Sequence, residues 1–143
     1  MGRPMKRGEP HLVTAAFRRL IRYPGLSVCC GVPLLGRCVD LVYVEDGRVT
    51  TIEFKLRDWR RALRQARDHL LAADYAYICM PKRTLAKEFQ DELHRTRVGL
   101  AFFSEDGQWP FRIIVQAPKS FETWNSAKKR VVEYVLTHGV SHK

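Results

Sequence analysis

CVDLVYVEDGRVTTIEFKLRDWRRALRQA, residues 38–66, decides how this chain is read. Cys38–Glu45 is rich in Val, Leu and Tyr, and Arg48–Lys55 in Val, Thr, Ile and Phe, so both have strand composition. Asp46-Gly47 stands between them. A two-residue type I′ turn needs φ > 0 at both central positions, which Asp-Gly tolerates. With those two residues as the loop, Glu45 faces Arg48 and Asp40 lies opposite Glu53. Cβ atoms in such a pair are about 5 Å apart on one side of the sheet. Side chains alternate along a strand, so Lys55 joins Glu53 on that side with Val42, Val44, Val49 and Thr51. Leu41, Tyr43, Ile52 and Phe54 fall on the other. Two apolar faces predict an interior hairpin covered on both sides.

Two carboxylates and a lysine therefore converge on a mostly apolar strand pair. A Glu53–Lys55 or Asp40–Lys55 ion pair at a sheet edge accounts for these residues without chemistry. Opposed acids repel, however, and buried ions cost several kcal/mol unless paired or metal-bound. A divalent cation removes that penalty, and carboxylate oxygens suit Mg²⁺ or Mn²⁺.

Asp40, then Glu53-Phe54-Lys55 on the next strand, then a helix bearing Gln65, resembles the PD-(D/E)xK nuclease superfamily. Restriction endonucleases, Holliday junction resolvases and RecB-type nucleases belong to it. The resemblance spans residues 9–80; Val39 stands where many members have proline. It implies that Asp40, Glu53 and the main-chain carbonyl of Phe54 bind Mg²⁺ or Mn²⁺, and that Lys55 assists the attacking water. It also implies that Gln65 orders the site and that Glu9, on the first helix, reaches the metal. A glutamate at a helix N-terminus has an ordinary explanation as well, since the helix dipole stabilises it. The implied activity is phosphodiester hydrolysis in DNA. A non-catalytic nucleic-acid-binding module on the same fold and an RNA-directed nuclease are the alternatives. The superfamily also admits a homodimer.

The chain has 143 residues, 45% of them hydrophobic, which suffices for one core and predicts a single domain over residues 1–143. Lys and Arg number 25 against 15 Asp and Glu, a formal charge of +10 that favours a polyanionic partner, nucleic acid first. No apolar run approaches the roughly 18 residues of a membrane span. Cys29, Cys30, Cys38 and Cys79 match no zinc spacing, and reduced core thiols fit a cytoplasmic protein.

In order, residues 1–8 read as a basic arm and Glu9 opens a helix whose apolar face runs from Leu12 to Ile21. Leu26–Pro33 reads as a strand, followed by the hairpin. Residues 57–74 read as a helix with Asp58 near its start and an apolar stripe at Ala62, Leu63, Ala66, Leu70 and Ala73. Arg57, Arg60, Arg61, Arg64 and Arg67 on it, with Arg37 before the hairpin, are candidate phosphate contacts. Trp59 is assigned to the core. Tyr75–Met80 reads as a parallel strand, Arg83–Arg95 as a helix, Val98–Phe103 and Phe111–Val115 as strands, and Phe121–Thr137 as a last helix. Lys128 and Lys129 on that helix are expected to extend the basic surface. The order α-β-β-β-α-β, then α-β-β-α, predicts an α/β fold with a central mixed sheet flanked by helices, a restriction endonuclease-like core with a C-terminal extension.

Overall fold

The structure, a computed structural model, describes residues 8–141. The expected arm at residues 1–8 lies outside them except for Gly8. The elements are α1 (Glu9–Leu20), β1 (Leu26–Leu34), β2 (Arg37–Glu45), β3 (Arg48–Phe54), α2 (Trp59–His69), β4 (Tyr75–Met80), α3 (Lys87–Thr96), β5 (Gly99–Phe103), β6 (Phe111–Val115), α4 (Asn125–His138) and β7 (Val140–Ser141). The seven strands form one mixed sheet in the order β6-β5-β4-β3-β2-β1-β7, with β3, β4 and β5 parallel and the other neighbours antiparallel. This mixed sheet with helices on both faces is compatible with a restriction endonuclease-like core.

The hairpin forms as its turn chemistry dictates. Asp46 has φ 51° and Gly47 φ 76°. Glu45 pairs with Arg48 and Leu41 with Ile52, the register that sets Asp40 against Glu53. β2 and β3 are interior strands covered on both faces. Leu41, Ile52 and Phe54 pack with Leu12, Ala16 and Leu20 of α1. Val42, Val44 and Val49 pack with Val131 and Val135 of α4. Beside them on that second face, α2 and α3 cover Ala76, Ile78 and Met80 of β4. Trp59 stacks on Phe89 in this layer, with ring centroids 4.5 Å apart.

Strict alternation fails at one place. Cys29 and Val32 lie in the same cluster although three residues apart, and so do Val39 and Val42. The irregularity falls at Gly31, with φ 62°, and across from it at Asp40. Gly31 supplies the left-handed conformation that an L side chain resists by about 1–2 kcal/mol.

Helix ends differ from the sequence expectation for local reasons. α2 begins after Asp58, whose carboxylate accepts from Arg61 N at 3.3 Å. It ends at His69 because residues 70–72 tighten into i→i+3 bonds. α4 starts four residues late because the preceding segment docks in extended form. Thr123 Oγ1 donates to the Ala73 carbonyl at 2.8 Å, and Trp124 N to the Leu71 carbonyl at 2.8 Å. Periodicity gave no sign of β7, a two-residue strand on the outer edge of β1. The expectation of four core thiols holds for Cys29 and Cys79, which are buried; Cys30 and Cys38 are exposed, and all four are free.

Asp74 ties these parts together. Its side chain is 3% exposed. Oδ2 accepts from Val49 N at 2.8 Å and lies 2.9 Å from Lys128 Nζ, while its backbone carbonyl accepts from Ser120 N at 2.7 Å. Lys128 is thus a structural counter-ion, not the exposed phosphate contact expected from sequence. Truncating Asp74 strands a buried amide and a half-buried ammonium. Asp74→Ala should lower unfolding stability by about 3 kcal/mol in urea titration, whereas Lys129→Ala, at an exposed position, should change it by less than about 0.5 kcal/mol.

Candidate active site

The β2–β3 ladder ends at Leu41–Ile52, and one step further side chains replace it. Asp40 Oδ2 accepts from Phe54 N at 2.8 Å, and Glu53 Oε1 accepts from Asp40 N at 3.3 Å. Each acid thus satisfies a main-chain donor of the opposite strand. This fixes both carboxylates on strand backbones and leaves one oxygen of each, Asp40 Oδ1 and Glu53 Oε2, outside these bonds. In an antiparallel pair the N–H and C=O of one residue leave on the same side. The Phe54 N–H is directed at β2, so its carbonyl is too, into the gap where the strands part.

Burial pushes the Asp40 carboxyl above its ordinary range, and the nearby Glu9 charge adds to this. The hydrogen bond from Phe54 N and the Lys55 ammonium pull the other way. Glu53, 6% exposed, is pushed up to about 7, first by burial and then by the Asp40 charge. The pair is held together by backbone bonds against its own repulsion.

Glu9 and Lys55 complete the group from the edge of the sheet. Lys55 follows β3, and its backbone N donates to the Cys79 carbonyl at 3.0 Å. Its ammonium lies 3.9 Å from Glu9 Oε1, while Glu9 Oε2 accepts from Leu56 N at 3.2 Å. Pro10 in the first turn of α1 and the helix N-terminus place Glu9 there. Among the described residues, no three His, Cys, Asp or Glu side chains are grouped so as to hold a metal ion. The pair alone suits Mg²⁺, which commonly takes one or two carboxylates and completes its shell with water.

A cleft of about 580 Å³ is lined by Arg37, Cys38, Arg61, Arg64, Gln65, Arg67 and Asp68, and reaches within two residues of Asp40 at Cys38. Among the described residues, none of these four guanidiniums is ion-paired. Gln65 Oε1 is buried there without a hydrogen-bond partner. Arg60 does not line this cleft; with Arg64 and Arg67 it lines a neighbouring groove between α2 and α3. Its guanidinium sits 2.5 Å from Glu88 and 4.4 Å from the Trp59 ring centroid, on the α2–α3 surface. Arg57 is exposed, and its carbonyl accepts from Arg83 at 3.4 Å. Lys129 is exposed on α4. His69 was not singled out from the sequence. It is 3% exposed, its Nδ1 has no partner, and burial followed by the Arg37 charge pushes it down to about 4, so it is neutral. Its place on the stripe of Ala62 and Ala66 was the available signal.

The fold and this geometry define a mixed α/β protein with an acidic pair at the end of a central hairpin and a basic cleft near it. Two solved structures resemble it. A protein of unknown function from Silicibacter pomeroyi matches at 20% identity over 94% of this chain and 87% of that one, with a TM-score of 0.60. An XisH family protein from Nostoc punctiforme matches at 14% identity over 76% of this chain and 98% of that one, with a TM-score of 0.51. At these identities the likeness concerns the fold. No family model matches the chain. No match emerges among curated proteins.

The raised carboxyl of Glu53 fixes the sign of a pH effect. Between its ordinary value of 4.5 and its folded value of about 7, the folded chain holds a proton that the unfolded chain has lost. Stability therefore falls as pH rises through that window. Glu53→Gln keeps the acceptor for Asp40 N and removes the charge. It should unfold at higher urea than the parent at pH 8, by about 2 kcal/mol, with the difference closing below pH 4.5.

Proposed function

We propose that this chain is a Mg²⁺-dependent nuclease that hydrolyses phosphodiester bonds in DNA. One observation carries the reading: a buried and a half-buried carboxylate interlock across the open end of a hairpin, each with an oxygen to spare, near a cleft whose four arginines have no ion-pair partner among the described residues. Asp40, Glu53 and the Phe54 carbonyl would hold the cation. When bound, it would lower the pKa of water and neutralise charge on a phosphate.

The chain's own groups supply the rest. Arg37, Arg61, Arg64 and Arg67 offer paired N–H donors to the phosphates flanking the scissile bond and set the strand in the cleft. Lys55 reaches the same centre from the end of β3. Its ammonium donates to the scissile phosphate and balances the charge that builds there as water adds and the 3′ oxygen leaves. Glu9 positions Lys55 by its contact with the ammonium and its bond from Leu56 N. Gln65, with an unsatisfied buried oxygen, accepts from a water or sugar hydroxyl entering the cleft. Apart from Lys55, which directly follows β3, strands β2 and β3 and helices α1 and α2 carry these groups, so little reorganisation is needed on binding.

Asp40→Ala, Glu53→Ala and Lys55→Ala should each reduce Mg²⁺-dependent cleavage of a DNA panel by at least about a hundredfold, with far-ultraviolet circular dichroism unchanged. Undiminished cleavage by purified Glu53→Ala would discard the assignment. Arg61→Ala and Arg64→Ala should each weaken DNA binding and lower the slope of log K against log salt by about 1. Arg60→Ala, paired elsewhere, should leave that slope unaltered.

A further inference from the structure

A second cavity, of about 700 Å³, opens next to Lys55, at Leu56. It lies beyond the carboxyl ends of the three parallel strands. Leu56 follows β3, Pro81 follows β4, and Phe102 and Phe103 end β5. That edge of an open α/β sheet is where ligands gather. The cavity begins one residue from Lys55, at Leu56, and two from Glu9, at His11.

Its chemistry contrasts with that of the arginine cleft. The cleft sets four arginines against one aspartate. Here Lys82 and Arg112 are balanced by Glu105 and Asp106, around Leu12, Leu56, Pro81 and two phenylalanines. Phe102 packs into the α2–α3 layer, while Phe103 is partly buried toward α1 with the Arg19 guanidinium 5.2 Å from its ring centroid. A site with two cations balanced by two carboxylates offers a phosphate no net attraction. Apolar and aromatic side chains with donors and acceptors among them suit a nucleobase, which presents a π-face and a hydrogen-bonding edge.

The wall is preformed. Arg19 donates to the carbonyls of Ser104 and Glu105. Ser104 N donates to the Pro110 carbonyl at 2.7 Å. Trp109 is wedged edge-on against Tyr23 and Tyr43, at 5.0 and 5.9 Å between ring centroids. These contacts clamp the β5–β6 loop to α1 and the hairpin, so the cavity exists before any ligand enters. None of these residues has a part in holding the cation.

We infer that this cavity receives the base of an unpaired nucleotide next to the scissile phosphate, and that the substrate is single-stranded at the point of cleavage. A nucleotide is a phosphate joined to a flat base, and the two cavities, one reaching Cys38 on β2 and the other Leu56 after β3, divide those two chemistries between them. A base within a duplex would have to leave its stack to enter, at a cost of a few kcal/mol.

The inference rests on the nuclease reading but is tested without cleavage. In EDTA, fluorescence anisotropy would compare a labelled single strand with a blunt duplex of equal length at matched salt. The parent should bind the single strand at least about tenfold more tightly. Phe103→Leu retains apolar volume and removes the aromatic surface. It should weaken single-strand binding by about fivefold or more and leave duplex binding within about twofold, with an unchanged melting temperature. Should that variant not fold, photocrosslinking of a 5-iodouracil strand to the parent protein reads the same site. The adduct should map to the peptide containing Phe102 and Phe103. Equal affinity for single strand and duplex, or crosslinks confined to the arginine cleft, would overturn the base pocket and leave the cleavage assignment standing. Loss of cleavage in all conditions with preferential single-strand binding intact would do the reverse.

Discussion

Two carboxylates held against their own repulsion are the constraint on which the candidate site depends. Asp40 and Glu53 stand where the β2–β3 ladder gives out, and each accepts from a main-chain N–H of the other strand. Charge-assisted hydrogen bonds of this kind are stronger than the neutral ladder bonds they replace. They close the hairpin end without a further backbone pair, and the Phe54 carbonyl is directed into the same gap. Burial raises both carboxyls, with the Glu9 charge adding to Asp40 and the Asp40 charge adding to Glu53, so the arrangement is costly at neutral pH. A fold that retained the pair for stability alone would do better with two apolar residues of similar size. Under the proposed function, a bound cation would offset that cost.

The surroundings are organised to keep that cost local. Immediately below the acids, Ile52 and Phe54 pack on α1 while Val42 and Val49 pack toward α4. Asp74 holds the start of β3 at its far end, bonding Val49 N and Lys128. β3 is therefore anchored at one end by a buried acid whose charge is compensated, and carries at the other a buried acid whose charge is not. The first fixes the strand; the second is left short of partners. The same asymmetry appears in α2, where Arg60 is paired with Glu88 while Arg61 and Arg64 on the neighbouring turn have no acidic partner among the described residues.

Much of this was legible in the sequence because local chemistry dictated it. Asp46-Gly47 set the turn, the turn set the register, and the register set Asp40 against Glu53. Asp58 and Pro10 marked helix starts by capping and by fixed φ. What stayed hidden depends on contacts distant in sequence. Residues 121–124 have helical composition but are drawn out along the end of α2 by bonds to Ala73 and Leu71. Lys128 had the spacing of a surface cation, and only the fold brings it to Asp74, 54 residues away. The irregularity at Gly31 and Asp40 breaks a strict period of two, which is the assumption any alternation argument makes. β7 is two residues long, below the length at which alternation carries information.

Glu9 shows how the topology converts separate local choices into a site. It belongs to a helix on one face of the sheet, whereas Glu53 shares the other face with Ile78 and α2. No arrangement within a single face could bring these acids to the same lysine. They meet because β3 ends at Phe54 and lets Lys55 and Leu56 pass beyond the edge of the sheet, where both faces are reachable. β4 and β5 run parallel to β3, so their carboxyl ends open at that same edge, next to Lys55. The basic cleft lies on the α2 side of this edge and the apolar cavity on the α1 side. A chain lying across the edge would meet charge on one side and aromatic surface on the other. That division follows from strand direction alone: reversing β4 or β5 would bring their amino ends to this edge and remove the cavity from the neighbourhood of the acidic pair.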